Sequence, residues 1–95
     1  MSLYTGKVGY VTLTKIQSRK TEKKKISAIT CYDASFARLI DQTDIDIILV
    51  GDSLGNVMMG YDHTIPVTVQ DMIHHTACVS RVVEKPFLVA DMPFM

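Results

Sequence analysis

The sequence predicts an α/β fold built on a parallel sheet. Three observations lead there. Runs rich in aliphatic and β-branched residues, ISAITCYD (26–33), DIILVGD (46–52) and FLVAD (87–91), read as strands. Segments with helical spacing, ASFARLID (34–41) and a stretch from 69 to about 83, separate them. The middle run carries four consecutive aliphatics, Ile47–Val50, and so lacks a polar face, which suits a parallel strand buried on both sides. Strands alternating with helices imply right-handed crossovers between parallel neighbours.

Residues 1–11 have no clear period and read as an N-terminal extension. Thr12 is a candidate N-cap for a short helix with Leu13 and Ile16 on one face and Lys15, Arg19 and Lys20 on the other. After the first strand, Asp33 or Ser35 can cap a helix that turns Phe36, Ala37 and Ile40 to one side. A Gly-rich loop runs from Gly51 to Gly60, with Met58 and Met59 expected to pack within it. Thr68 is the expected N-cap of the long helix, with Asp71 in the first turn favoured by the helix dipole. Met72, Val79 and Val83 are its expected buried residues, and Pro86 breaks the chain before the last strand.

Ninety-five residues would suit one small domain. Three parallel strands with two crossover helices, however, cannot cover both faces of a sheet, and the last strand needs a neighbour on its far edge. Residues 12–95 therefore read as the first part of a larger α/β domain, cut after its third strand and expected to be poorly stable or aggregating in isolation. The formal net charge is zero, so no overall field favours nucleic acid. The basic run 15–25 reads as a solvated helix face and turn, against the sharper reading of an anion-binding or nucleic-acid patch. Cys31 and Cys78 lack metal-ligand spacing and read as buried free thiols of a reducing cytosol. No run approaches the ~20 apolar residues of a membrane helix, and the N-terminus lacks the pattern of a signal peptide. These features give the expectation of a soluble, cytoplasmic protein.

The chemistry is sought where strands end, because ligands of parallel α/β folds bind at the carboxyl ends of the strands. Leu49-Val50-Gly51-Asp52 and Leu88-Val89-Ala90-Asp91 finish alike, each with a small residue before an aspartate. Strands paired at about 4.8 Å would bring Asp52 and Asp91 to one mouth. Two carboxylates so close repel unless a proton or cation neutralises them, and an oxygen-only set favours a hard cation such as Mg²⁺. The other reading, that each aspartate merely caps the next loop, stays open here; for Asp33 it is preferred, since a helix begins directly after it. His74 and His75 are adjacent in a helix and lack the i, i+4 spacing of a metal pair, and nothing fixes His63. Gly51-x-x-x-Gly55 lacks the Lys-Ser/Thr of a P-loop.

The motifs VGDSLG, GYDHTIPVTVQDM, His75-Thr76 and ADMPF, in this order and spacing, closely resemble the ketopantoate hydroxymethyltransferase family from about Thr12 onward. The resemblance implies a (β/α)₈ TIM barrel of the phosphoenolpyruvate/pyruvate type, more than twice this length, and a homo-oligomer, often a decamer. It implies Mg²⁺ as cofactor, 3-methyl-2-oxobutanoate as substrate and 5,10-methylenetetrahydrofolate as one-carbon donor. By position, Asp52 and Asp91 look like the metal ligands, with Asp52, Ser53, Asp91 and Tyr32 binding the substrate. The family reaction removes the proton at carbon 3 of the oxo acid and adds the metal-assisted enolate to the folate methylene, giving 2-dehydropantoate for pantothenate and coenzyme A synthesis. The family's glutamate base matches no position here, so no catalytic residue is assigned and the chain alone is expected to be inactive. Asp44 and Val82 stand where the family has glycines at helix ends, which leaves the geometry of those two turns open.

Gly51-Asp52-Ser53-Leu54 is also the signature of a family of serine esterases. There the motif ends the first strand and needs a later Asp/His pair, whereas here a strand-helix unit precedes it and a matched aspartate follows. Two further readings compete with the hydroxymethyltransferase: a lyase or mutase of the same Mg²⁺/2-oxo-acid superfamily, and a non-catalytic remnant or interaction module.

Overall fold

A computed structural model describes residues 10–94, so most of the extension expected over 1–11 lies outside the described residues. The order is α1 (Leu13–Thr21), β1 (Ala28–Thr30), α2 (Ala34–Asp41), β2 (Ile47–Val50), α3 (Leu54–Val57), α4 (Val69–Ser80) and β3 (Phe87–Ala90). The strands form one parallel sheet in the order β1-β2-β3, with Ile48 beside Ile29 on one side and Leu88 on the other. This is an open three-stranded α/β unit. No helix of the described residues is long and apolar enough to cross a membrane.

The caps explain where the helices begin. Thr12 accepts the Lys15 N–H, Asp33 accepts the Phe36 N–H at 2.8 Å, and Thr68 and Asp71 form a reciprocal capping box. Each satisfies N–H groups that the first helical turn leaves without partners. α4 stops at Ser80, short of the position near 83 that its apolar spacing suggests. The Glu84 and Lys85 N–H groups turn instead to the Asp41 carboxylate, at 2.9 and 3.0 Å. Val82 and Val83 still pack against the core from the turn that follows.

Helix α4 packs on β2 and β3, and α2 packs on α4. Ile48 and Val50 of β2, Ala37 of α2, Leu54 of α3, and Met72 and Val79 of α4 are buried in one cluster. The expected two-sided burial of β2 is not met: Ile48 and Val50 are sealed, while Ile47 and Leu49, on the opposite face, are only half-buried. The helices that pack on the sheet seal only the first face. Edge strand β1 is exposed throughout, Ile29 at 42%.

Three smaller expectations need correcting. Phe36 lies beside the buried stripe of α2 and is exposed, leaving Ala37 and Ile40 to face inward. The Gly-rich loop contains α3, which turns Leu54 and Gly55 inward and leaves Met58 and Met59 outside rather than packed. Cys31 is buried, but Cys78 is only half-buried; both are free thiols.

The cations of the basic run are exposed, Arg19 excepted. Arg19 pairs with Asp46, which is 3% exposed and also accepts the backbone N–H and hydroxyl of Ser27 at 2.9 and 3.1 Å. This cluster ties α1 to the amino-terminal end of the sheet. Burial alone would raise the Asp46 carboxyl, but the Ser27 donors and Arg19 outweigh it and hold the group below its ordinary range. Neither Asp44 nor Val82 takes a left-handed backbone; among the described residues that conformation falls at Lys23 (φ 60°) and Gly60 (φ 79°).

Candidate functional site

The strand ends converge as the matched sequences suggest. The Cys31 N–H donates to the Leu49 carbonyl at 3.1 Å and the Asp91 N–H to the Val50 carbonyl at 3.0 Å. Both ladders thus run one residue past their strands, setting Tyr32, Asp52 and Asp91 at one edge. The Asp52 N–H donates to Asp91 Oδ2 at 3.1 Å. Tyr32 Oη and Ser53 Oγ lie 2.6 Å apart. All four residues are half-buried, which leaves them reachable by a ligand.

Gly51 makes this approach possible. A Cβ there would stand 3.3 Å from Asp91 Oδ2 and 3.4 Å from Ser53 Oγ. Gly55 answers a different need: its Cβ would meet Val67 at 2.5 Å, so it lets α3 close on the core. The spacing of these glycines reflects packing and site access, with no phosphate cradle required.

Asp33 is occupied as the α2 cap, as expected. His63 and His74 are exposed. His75, to which the sequence reading gives no role in the site, does touch it: Nδ1 lies 2.8 Å from the Tyr32 carbonyl oxygen. Its spacing carries the signal, since Met72, His75 and Val79 follow the i, i+3, i+7 rhythm of one helical face.

Two carboxylates and two hydroxyls make an all-oxygen donor set that suits a hard cation. Among the described residues no group of three His, Cys, Asp or Glu side chains gathers for a metal. Mg²⁺ needs none, because it typically takes one or two carboxylates and completes its shell with waters and substrate oxygens. The residues present therefore fit that ion. A groove of about 370 Å³ between α4 and the end of β3 shares Asp91 with the cluster, but its walls are mainly apolar, including Val69, Ile73 and Met92. Such walls offer little to a small anion.

The chain is thus an α/β unit whose polar side chains gather at the carboxyl ends of its parallel strands, the end at which such folds place ligands. The model of the ketopantoate hydroxymethyltransferase family matches residues 10–95, and the chain belongs to that family. It is 55% identical over 85 residues to the 3-methyl-2-oxobutanoate hydroxymethyltransferase of Colwellia psychrerythraea strain 34H, covering 90% of this chain and 32% of that protein. It is 57% identical over 89 residues to the enzyme of the same name from Thermoanaerobacter sp. strain X514, covering 94% of this chain and 31% of that one. The chain thus spans about a third of the length of these curated relatives.

Proposed function

We propose that the strand-end cluster is the oxo-acid and metal-binding part of a 3-methyl-2-oxobutanoate hydroxymethyltransferase. The observation that carries this is the contact of Asp91 with the Asp52 backbone, beside Ser53 and Tyr32. Asp52 and Asp91 would hold Mg²⁺. When bound, the ion would polarise the keto oxygen of 3-methyl-2-oxobutanoate and so acidify carbon 3.

The chain's own residues orient the substrate. If the Tyr32 hydroxyl donates to Ser53 Oγ across their 2.6 Å, the Ser53 proton is left to donate to the substrate carboxylate. Gly51 keeps the approach open. The base that removes the carbon 3 proton, and the seat of 5,10-methylenetetrahydrofolate, belong in this reading to parts matched by the remainder of the longer relatives. Residues 12–95 would be the first third of a (β/α)₈ barrel, and the half-buried Ile47 and Leu49 support that placement. Assembly into a homo-oligomer and a cytoplasmic location are part of the same proposal.

The test is binding of 3-methyl-2-oxobutanoate to this chain, followed by NMR in dilute, cold solution with and without Mg²⁺. Metal-dependent shifts of the Gly51, Ser53 and Tyr32 resonances are expected. Binding indifferent to Mg²⁺, or shifts confined to the α4 groove, would overturn the proposal.

A further inference from the structure

We infer that His75 is a positioning residue for the strand-end cluster, fixing the Tyr32 main chain so that the Tyr32 hydroxyl meets Ser53; this rests on the oxo-acid reading of that cluster. Tyr32 follows Cys31, whose N–H donates to Leu49 beyond the end of β1, so the Tyr32 carbonyl lies where the sheet gives way to the site. Directly after it, Asp33 turns the chain into α2. His75 supplies the tie from the helix layer, with Nδ1 2.8 Å from the Tyr32 carbonyl oxygen.

The imidazole is well placed to act as a fixed anchor. α4 is set by its capping box at Thr68 and Asp71, and Met72 and Val79 are buried on either side of His75. A carbonyl oxygen only accepts, so Nδ1 must carry the proton, and this bond selects the tautomer. The chain of contacts then runs from α4 through the Tyr32 backbone to the Tyr32 ring and on to Ser53 Oγ. Ser53 neighbours the acid pair, so a small displacement at Tyr32 reaches the position where the substrate carboxylate would sit. Precise placement of such groups strongly affects what a site can bind and do.

Side-chain geometry gives a discriminating test. Asparagine carries its amide nitrogen at the same bond distance from the backbone as Nδ1, whereas glutamine carries it one bond further out. With Mg²⁺ present, His75→Leu and His75→Gln should weaken 3-methyl-2-oxobutanoate binding by about tenfold, and His75→Asn should restore most of it. Long-range proton–nitrogen NMR of the wild-type imidazole should report a protonated Nδ1. A neutral ring protonated at Nε2, or equal affinity for the Leu and Asn variants, would overturn the inference. If the wild-type chain binds no oxo acid, the oxo-acid reading fails, and labelled Tyr32 ring resonances still decide. They should move in His75→Leu and stay in place in His75→Asn; unmoved resonances in both would overturn the role of His75. Should the Leu variant fail to fold, the wild-type tautomer and the Asn variant suffice.

Discussion

The backbone N–H of Asp52 donates to the carboxylate of Asp91 across 3.1 Å, joining the ends of two neighbouring strands. The bond forms beside Gly51, where any Cβ would press on that carboxylate at 3.3 Å. Gly51→Ala should therefore displace Asp91 and weaken Mg²⁺-dependent oxo-acid binding by about tenfold, a loss comparable to that of one hydrogen bond to a charged group. Calorimetric titration measures it, and unchanged affinity would remove Gly51 from the site.

Gly55 should behave differently, because its Cβ would collide with buried Val67 rather than with the site. Gly55→Ala is expected to destabilise the fold by about 1–3 kcal/mol, the usual range for overpacking a core. Chemical denaturation reads this directly.

Lys23 offers the opposite sign. Its N–H and that of Lys24 donate back to the Lys20 and Arg19 carbonyls, closing α1 with a left-handed residue where glycine is usual. Lys23→Gly should raise stability, by up to about 1 kcal/mol, because the left-handed strain is removed. A lower melting temperature for that variant would contradict the assignment.

Acid should loosen the fold at the Asp46 cluster. Buried Asp46 is held below its ordinary range by the donors of Ser27 and by Arg19 against the opposing effect of burial. A depressed folded-state value stabilises above the unfolded aspartate value and is lost as pH falls through the lower folded one. Asp71, lowered mainly by the Thr68 N–H, acts in the same direction. Asp46→Asn should be less stable near neutrality by about 2–3 kcal/mol, below the range for a fully buried pair because Arg19 remains partly wet. It should also show a shallower acid loss, the remainder coming from Asp71 and from Glu22, whose carboxylate is held down by Lys24 and Ser18. Denaturant midpoints measured from neutral to acid pH give both quantities.

Much of the fold is legible in the sequence because it is local. Caps at Thr12, Asp33 and Thr68 depend on a few adjacent residues, and the matched Leu-Val-Gly-Asp and Leu-Val-Ala-Asp endings point to one sheet edge once the strands pair. What stays hidden depends on distant partners. Arg19 looks like one more surface cation until Asp46 comes up beside it, and Asp41 of another helix takes the Glu84 and Lys85 N–H groups in the turn after α4. The short α3 has too few residues to show a period, so nothing in the sequence turns Met58 and Met59 outward. His75 has the spacing of an inward position, but its carbonyl partner lies 43 residues away.

The pairing of Asp52 with Asp91 is tested most directly by the affinity of Mg²⁺ in the presence of 3-methyl-2-oxobutanoate. It should be compared among the wild-type chain, Asp52→Asn, Asp91→Asn and Ser53→Ala. Metal binding should fall steeply in both asparagine variants, while Ser53→Ala should keep the metal and lose mainly oxo-acid affinity. Asparagine variants that bind Mg²⁺ as the wild type does, or a Ser53→Ala variant that alone abolishes binding, would contradict a shared aspartate site.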